Sequence, residues 1–171
     1  TNTKTYRMDP LVPLLIPEVN PGHLDLIPTQ QLEKGWSGGI VANPNCSTAG
    51  LALALAPLHN AFGVEKVFVA TMQAVSGAGY PGVASLDALG NVIPFIGGEE
   101  EKIEKETRKI LDGTFSVSAH TNRVAVIDGH LEVASVGFSR RVRPEEAIAA
   151  IEAYRAPEEV AALPSTPVRP V

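Results

Sequence analysis

The only cysteine of this 171-residue chain stands where a nucleophile could be activated. Cys46 follows the turn-forming residues of NPNC, and the spacing of the leucines after it predicts a helix from Ser47 to Phe62. Free backbone N–H groups and the positive end of the helix dipole would favour a thiolate at this point. The opposing interpretation is a small buried hydrophobic residue, which is the more frequent role of a lone cysteine.

A thiolate that attacks a carbonyl group needs a proton carrier, and His130 is the best placed of the four histidines. It follows the turn pair Asp128–Gly129, at a strand end. Arg123, seven positions earlier, could hold a carboxylate with two parallel hydrogen bonds, although a solvated cation on an exposed strand face is the alternative. The remaining histidines are expected to be surface or packing residues: His23, His59 and His120.

A charged helix is predicted from Glu99 to Leu111, with acidic residues first and basic residues later. Glu99 and Lys102 are spaced i, i+3 at its start, so their side chains can face the same way. Glu99 could bind an ammonium group, and Lys102 could bind a phosphate. A solvated helix face is the alternative interpretation of this acidic and basic run.

The elements that must position these side chains form an alternating pattern of strands and helices. The stretch from Val67 to Ala70 is apolar on both faces, as in a central strand of a sheet. The further predictions are a short strand at 11–16, a buried strand and turn at 38–46, β-like runs at 115–127 and 131–138 joined as a hairpin at Asp128–Gly129, and a helix at 144–156. This order indicates a mixed α+β sheet domain.

Composition narrows the classes of function. Hydrophobic residues make up 44% and charged residues 19%, which is typical of a globular domain. The net charge of −5 and the absence of a Lys/Arg block disfavour nucleic acid as a partner, and no apolar run is long enough to predict a membrane span. A single cysteine fits a reducing compartment, so we expect a cytoplasmic protein.

Four motifs, in the order NPNCST, MQAVSGAGYPG, GGEEEKIEKETRKIL and NRVAVIDGH, resemble aspartate-semialdehyde dehydrogenase, most closely its archaeal and fungal branch. The resemblance covers nearly the whole chain. It implies an α+β fold with a mixed, largely antiparallel sheet and helices packed on one face, similar to the C-terminal domain of glyceraldehyde-3-phosphate dehydrogenase-like proteins. Residues 1–171 would be the catalytic and dimerisation domain, with 1–37 a connection from an N-terminal Rossmann domain that the chain lacks and 157–171 a linker back to it.

The resemblance also implies roles for particular residues. Cys46 would be the nucleophile and His130 the acid and base. The substrate would be bound by Gln73, Asn45, Arg123 for its carboxylate and Glu99 for its amino group, with Glu100 or Glu101 as alternatives to Glu99. Phosphate would be bound by Arg7 and Lys102, and the cofactor would be touched by Ser76 and Gly77. No metal is implied.

The implied reaction is the NADP-dependent reductive dephosphorylation of 4-aspartyl phosphate to aspartate semialdehyde, through a cysteine thioester, on the route to lysine, methionine and threonine. The chain alone would be inactive or very weak, and it would pair through its sheet as a homodimer or homotetramer. Two alternatives remain open: an acyl-CoA reductase of the same fold, similar to malonyl-CoA reductase, and a non-catalytic assembly domain.

Overall fold

The computed structural model describes residues 1–167, which form an α+β domain, as predicted. The helices are α1 (Leu26–Lys34), α2 (Cys46–Phe62), α3 (Ser85–Ala88), α4 (Glu99–Ile110), α5 (Pro144–Ala153) and α6 (Glu158–Ala161). The strands are β1 (Val64–Gln73), β2 (Val92–Pro94), β3 (Ser116–Val124) and β4 (His130–Phe138). They lie in one mixed sheet in the order β2-β3-β1-β4.

Strand β1 lies between β3 and β4, so the predicted hairpin between 115–127 and 131–138 is wrong. β3 pairs with β1 in parallel and β4 pairs with β1 antiparallel, while β2 pairs antiparallel with β3. The segment between β3 and β4 instead crosses the end of β1, where the carbonyl groups of Val126 and Ile127 accept hydrogen bonds from Val75 and Ser76. Asp128 and Gly129 therefore lie in a loop that crosses the end of β1 and do not form a two-residue hairpin turn.

The two faces of the sheet have different environments. On one face α2 packs on β1 and α4 packs on β3, and Val67 and Val69 of β1 are buried there. The other face, which we call the open face, carries apolar side chains that remain exposed: Phe68 at 48%, Leu131 at 61% and Val133 at 58%. The helices thus pack on one face, as predicted, and the apolar residues on both faces of β1 leave the open face available for a partner.

Helix α2 confirms the prediction around Cys46 and corrects one detail. Leu51 and Leu55 are buried in the core, as their spacing indicated. The helix begins at Cys46 itself, one residue before the predicted start, and it continues through Pro57 to Phe62. Gly63 then ends it with a positive φ of 68°, a backbone conformation that glycine adopts readily.

The strands predicted at 11–16 and 38–46 are not formed. The two segments meet at a single parallel bridge between Leu14 and Ala42. A buried side chain replaces further pairing, because the amide of Gln30 donates to the carbonyl groups of Leu11 and Ile40 and accepts from the N–H of Ile40. This side-chain clamp satisfies the backbone groups that a strand ladder would otherwise need.

The C-terminal part is only partly described. Helix α5 ends at Ala153, before the predicted end at Ala156, and the Tyr154 hydroxyl donates to the carbonyl oxygen of Glu18. The linker expected at 157–171 contains α6, whose Val160 is buried, and residues 168–171 of that prediction lie outside the described part. In the described residues no helix has both the length and the apolar character that a membrane span requires.

Candidate active site

The thiol of Cys46 and the imidazole of His130 lie next to each other. Cys46 is the first residue of α2 and is exposed to solvent, while His130 is the first residue of β4. Sγ of Cys46 lies 3.2 Å from Nε2 of His130. The structure therefore brings together the two side chains that the sequence analysis paired, within proton-transfer distance at the start of a helix.

The ring of His130 is oriented by the backbone. The N–H of Ala74, just after β1, donates to Nδ1 of His130 over 3.1 Å. Nδ1 is thus the acceptor, so the proton of the neutral ring sits on Nε2 and points toward the sulfur of Cys46. A hydrogen-bond donor is therefore directed at the sulfur.

Gln73, Arg123 and His130 stand side by side on three neighbouring strands. In the register of the sheet, Gln73 is the partner of Arg123 on β3 and of His130 on β4. Residues paired in this way project from the same face, which here is the face that α2 covers. Arg123 and His130 are seven residues apart, so on one continuous strand they would point to opposite faces. They share a face here because they lie on separate strands, β3 and β4, on either side of β1.

Arg123 is not the solvated cation of the alternative interpretation. It is only 6% exposed, and its Nη1 donates to the carbonyl oxygen of Ala74 over 2.7 Å. Gly77 lies against it so closely that a Cβ at this position would fall 2.8 Å from Nη1 of Arg123 and 3.1 Å from Cε1 of His130. A larger residue at position 77 would therefore have to displace Arg123 and press against His130.

Asn45 joins the nucleophile to the charged helix. Its Oδ1 accepts from the N–H groups of Ser47 and Thr48 and so caps α2, and its Nδ2 donates to Oε2 of Glu99 over 2.5 Å. Its backbone N–H donates to Oε2 of Glu106 over 2.6 Å. One residue thus fixes the start of the nucleophile's helix and its distance from α4.

Glu99 is the member of the acidic run that faces the site. It lines the same cleft as Cys46 and forms an ion pair with Lys102. The alternatives point elsewhere, since Glu100 accepts from the N–H of Thr121 and Glu101 pairs with Lys105 in solvent. Of the three, Glu99 is the one that lines this cleft.

A cleft of about 780 Å³ lies in front of Cys46 and is lined by both residues expected to bind phosphate, Arg7 and Lys102. Arg7 is held from behind by Glu106, with Nη1 3.1 Å from Oε1. Asn45 and Gly77 also line this cleft. The structure thus collects most of the expected site residues around one opening; Ser76 lies in the short 3₁₀ helix Val75–Ala78 that carries Gly77.

Two carboxylates near the site escaped the sequence analysis. Glu106 seemed part of a solvated helix face but is 2% exposed. Glu132, two positions after His130 on β4, lies beside Ser47 and Gly50 in the first turns of α2. Burial raises the pKa of Glu132 to about 7, and the nearby Ser47 hydroxyl opposes part of the rise. The i, i+7 spacing of Glu99 and Glu106 was the available signal for the first of them.

The other histidines lie away from the site, as expected. His23 contacts Asn20, His59 accepts a hydrogen bond from the N–H of Val64, and the ring of His120 packs at a tilt against Phe68 at the open face. Among residues 1–167 no group of three His, Cys, Asp or Glu side chains is arranged to hold a metal ion.

Residues 55–170 match the sequence model of the family described as "Semialdehyde dehydrogenase, dimerisation domain". An aspartate-semialdehyde dehydrogenase of Methanothermobacter thermautotrophicus is 47% identical over 100% of this chain and 52% of its own length. One of Archaeoglobus fulgidus is 50% identical over 99% of this chain and 54% of its own length.

The fold is shared with a solved aspartate-semialdehyde dehydrogenase of Candida albicans with NADP. That structure has a TM-score of 0.83 and 38% identity, and the alignment covers 98% of this chain and 52% of that chain. The chain spans about half the length of the curated relatives it matches. The chain belongs to the semialdehyde dehydrogenase dimerisation-domain family.

Proposed function

We propose that this chain is the catalytic and dimerisation domain of an aspartate-semialdehyde dehydrogenase that reductively dephosphorylates 4-aspartyl phosphate to aspartate semialdehyde. One observation carries the proposal: Sγ of Cys46, at the start of α2, lies 3.2 Å from Nε2 of His130. The cleft in front of the sulfur is lined by Arg7 and Lys102. A nucleophile, a proton carrier and two cations at one opening suit an acyl phosphate substrate.

In the first step the thiolate of Cys46 attacks the acyl carbon of the substrate. The new carbon–sulfur bond forms as the bond between the acyl carbon and the phosphate oxygen breaks, and phosphate leaves with that electron pair. Arg7 and Lys102 are suited to hold the departing phosphate, since a guanidinium and an ammonium both bind phosphate oxygens. The product of this step is a thioester on Cys46.

The substrate would be oriented from two sides. The buried guanidinium of Arg123 is fixed by Ala74 and presents a planar donor set for the α-carboxylate. The carboxylate of Glu99, held by Asn45, is suited to the α-ammonium group. Gln73 stands between Arg123 and His130 in the sheet, and we assign it the orientation of the substrate between them.

The cofactor contact fits the loop that carries Ser76 and Gly77. Gly77 lines the cleft in front of Cys46, so its backbone borders the space beside the thioester. When bound, the cofactor supplies the hydride that reduces the thioester. We assign NADP, because the similar Candida albicans structure was solved with NADP. The main dinucleotide-binding residues are expected outside this chain.

His130 would handle the proton. Its Nε2–H, oriented by Ala74, can stabilise the thiolate and then the oxyanion that reduction creates. When the tetrahedral adduct on Cys46 collapses, the carbon–sulfur bond breaks, the aldehyde leaves and the thiolate is restored. A reactive thiol of this kind suits the reducing cytoplasm, and the product would feed the synthesis of lysine, methionine and threonine.

The open face of the sheet is the proposed surface for pairing with a second copy. Phe68, Leu131 and Val133 are all about half exposed or more, and they lie on strands that are neighbours in the sheet. The family is described as a dimerisation domain, and an exposed apolar surface of this kind is typical of protein interfaces. We propose a homodimer, or a homotetramer built from it, that uses this face.

Acyl transfer to Cys46 tests the proposal without any cofactor, because it precedes reduction. The chain is mixed with 4-aspartyl phosphate, and the intact mass is followed beside the release of inorganic phosphate. We expect one aspartyl adduct, absent in Cys46→Ser and slowed at least tenfold in His130→Gln. A chain that gains no adduct while phosphate is released only at the uncatalysed rate would contradict the proposal, and an adduct formed equally fast from malonyl-CoA would favour the acyl-CoA reductase.

A further inference from the structure

Helix α4 turns one charged face toward the site. From the sequence, the alternating acidic and basic residues of this helix are also compatible with a face exposed to solvent. Glu99, Lys102, Glu106 and Lys109 are spaced so that they project from the same side of a helix. Each of them contacts the site or the N-terminal segment that carries Arg7. The proposed function uses the first two for substrate and phosphate, and it leaves the second two without a role.

Glu106 bridges two parts of the proposed site. Its Oε2 accepts the backbone N–H of Asn45 over 2.6 Å, and its Oε1 accepts from Nη1 of Arg7 over 3.1 Å. With 2% exposure, its carboxylate has little access to water, and these two contacts give each of its oxygens one partner. One side chain therefore sets the distance between the loop before Cys46 and the guanidinium of Arg7.

Lys109, one turn further along α4, holds the backbone of the N-terminal segment that carries Arg7. Its Nζ donates to the carbonyl oxygens of Arg7, Asp9 and Val12 over 2.8, 2.7 and 2.9 Å. These three contacts use all the protons of the ammonium group. Because Lys109 holds the backbone of Arg7 and Glu106 holds its side chain, the guanidinium has a defined position relative to α4.

Arg7 keeps N–H groups for a ligand. Its Nη1 donates one hydrogen bond to Glu106, and its Nη2 donates one to the carbonyl oxygen of Asn2. Nε is buried and has no hydrogen-bond partner within residues 1–167. Arg7 also lines the cleft in front of Cys46. A guanidinium anchored on one edge, with unused donors beside the cleft, is arranged to receive an anion there.

We propose that Glu106 is the positioning residue of this site: it aligns the phosphate-binding Arg7 with the loop that carries Cys46. The inference rests on the proposed function, because it needs Arg7 to bind the phosphate of the substrate. Glu106 itself touches neither substrate nor phosphate. It acts through Arg7 and Asn45, and Glu106 is thereby distinguished from Glu99, which faces the cleft.

A second interpretation of Glu106 predicts the opposite effect. If the carboxylate only neutralised Arg7, removal of its charge would leave a freer cation, and phosphate would bind more tightly. If it positions Arg7, its loss lets the guanidinium turn away, and phosphate binds more weakly. The sign of the change in phosphate affinity therefore decides between charge compensation and positioning.

The test measures how inorganic phosphate protects Cys46 from alkylation by iodoacetamide, with Glu106→Gln, Glu106→Asp and Arg7→Ala. The Gln side chain still accepts from the N–H of Asn45 but turns an amide donor toward Arg7. We expect unprotected alkylation within about threefold of wild type and phosphate binding about tenfold weaker, as the loss of one charge-assisted hydrogen bond would give. Glu104→Gln, on the same helix but bonded to the N–H of Ala119, should change neither value.

Each remaining outcome separates the inference from the proposed function. If Arg7→Ala leaves phosphate protection unchanged, the phosphate site itself is wrong. If Arg7→Ala abolishes protection while Glu106→Gln keeps or tightens phosphate binding, only the positioning role is wrong. Glu106→Asp keeps the negative charge but, with a shorter side chain, moves it away from Arg7 and Asn45. Weakened phosphate binding in that variant supports positioning, and an unchanged affinity overturns it.

The inference can also be tested without a variant. If the bridge acts in the bound state, the backbone N–H of Asn45 should stay protected from hydrogen exchange when phosphate is added. Loss of that protection on phosphate binding would mean that the contact with Glu106 is broken when it is needed, which overturns the positioning role even if no Glu106 variant folds.

Discussion

The raised pKa of Glu132 predicts that the domain loses stability as pH rises from acidic to neutral values. Glu132 lies beside Ser47 and Gly50 in the first turns of α2, and burial raises its pKa from 4.5 to about 7. The folded state therefore binds a proton that the unfolded state has already released. The stabilisation is fully present below pH 4.5 and is lost as pH rises through about 7.

The size of the effect follows from the shift. A rise from 4.5 to about 7 would correspond to about 3.4 kcal/mol if it were fully expressed. The carboxyl is only partly buried, so solvent screening should reduce this to roughly 1–2 kcal/mol. His23, whose pKa is lowered by burial, works in the other direction, because its neutral folded form gains stability as pH rises toward 6.5.

Urea unfolding of wild type and Glu132→Gln at several pH values isolates this contribution. Glutamine matches the neutral carboxyl in size and removes its ionisation, while His23 acts equally in both proteins. We expect the wild type to lose roughly 1–2 kcal/mol of unfolding free energy relative to Glu132→Gln between pH 4.5 and 7.5. If the two proteins follow parallel curves over this range, the burial argument for Glu132 is refuted.

Three further substitutions test other parts of the account. Gly77→Ala should slow alkylation of Cys46 about tenfold by displacing the His130 ring, whereas Gly38→Ala, with no neighbour within 4 Å, should not. Val133→Glu on the open face should shift the protein toward monomer in sedimentation, while Leu32→Glu on the exposed side of α1 should leave the oligomeric state unchanged. Lys109→Met should lower the unfolding free energy by roughly 2–3 kcal/mol in urea titration, because three carbonyl groups lose their donor.

The parts of the fold that depend on local pattern could be predicted from the sequence. The helix after Cys46 follows from its leucine spacing and from Asn45, a good N-cap residue, and α2 begins at Cys46 itself. The charged helix α4 follows from its acidic start and basic end. The central position of β1 follows from apolar residues on both of its faces.

Strand pairing could not be predicted in the same way. Two β-like runs separated by Asp128–Gly129 are typical of a hairpin, and nothing local indicates that β1 lies between them. The contact between His130 and Cys46 depends on this long-range pairing, because β1 sets the register of β4. The sequence indicates these residues as candidates, while the alignment of Gln73, Arg123 and His130 across three strands is a property of the folded sheet.

The buried carboxylate of Glu106 was hidden by its neighbours. In a run of alternating acidic and basic residues each side chain looks solvated, and only the tertiary contacts with Asn45 and Arg7 distinguish this one. The strands expected at 11–16 and 38–46 failed for a related reason. The side chain of Gln30 supplies hydrogen bonds that a strand ladder would have made, and a buried glutamine leaves no periodic signal.

The central claim is that Cys46 and His130 form one reactive pair, and the rate of alkylation of Cys46 tests it most directly. Second-order rate constants with iodoacetamide are compared for wild type, His130→Gln and the control His120→Gln, whose imidazole packs at a tilt against Phe68 at the open face. We predict a rate at least tenfold lower for His130→Gln and an unchanged rate for His120→Gln. Equal rates in all three proteins would contradict it.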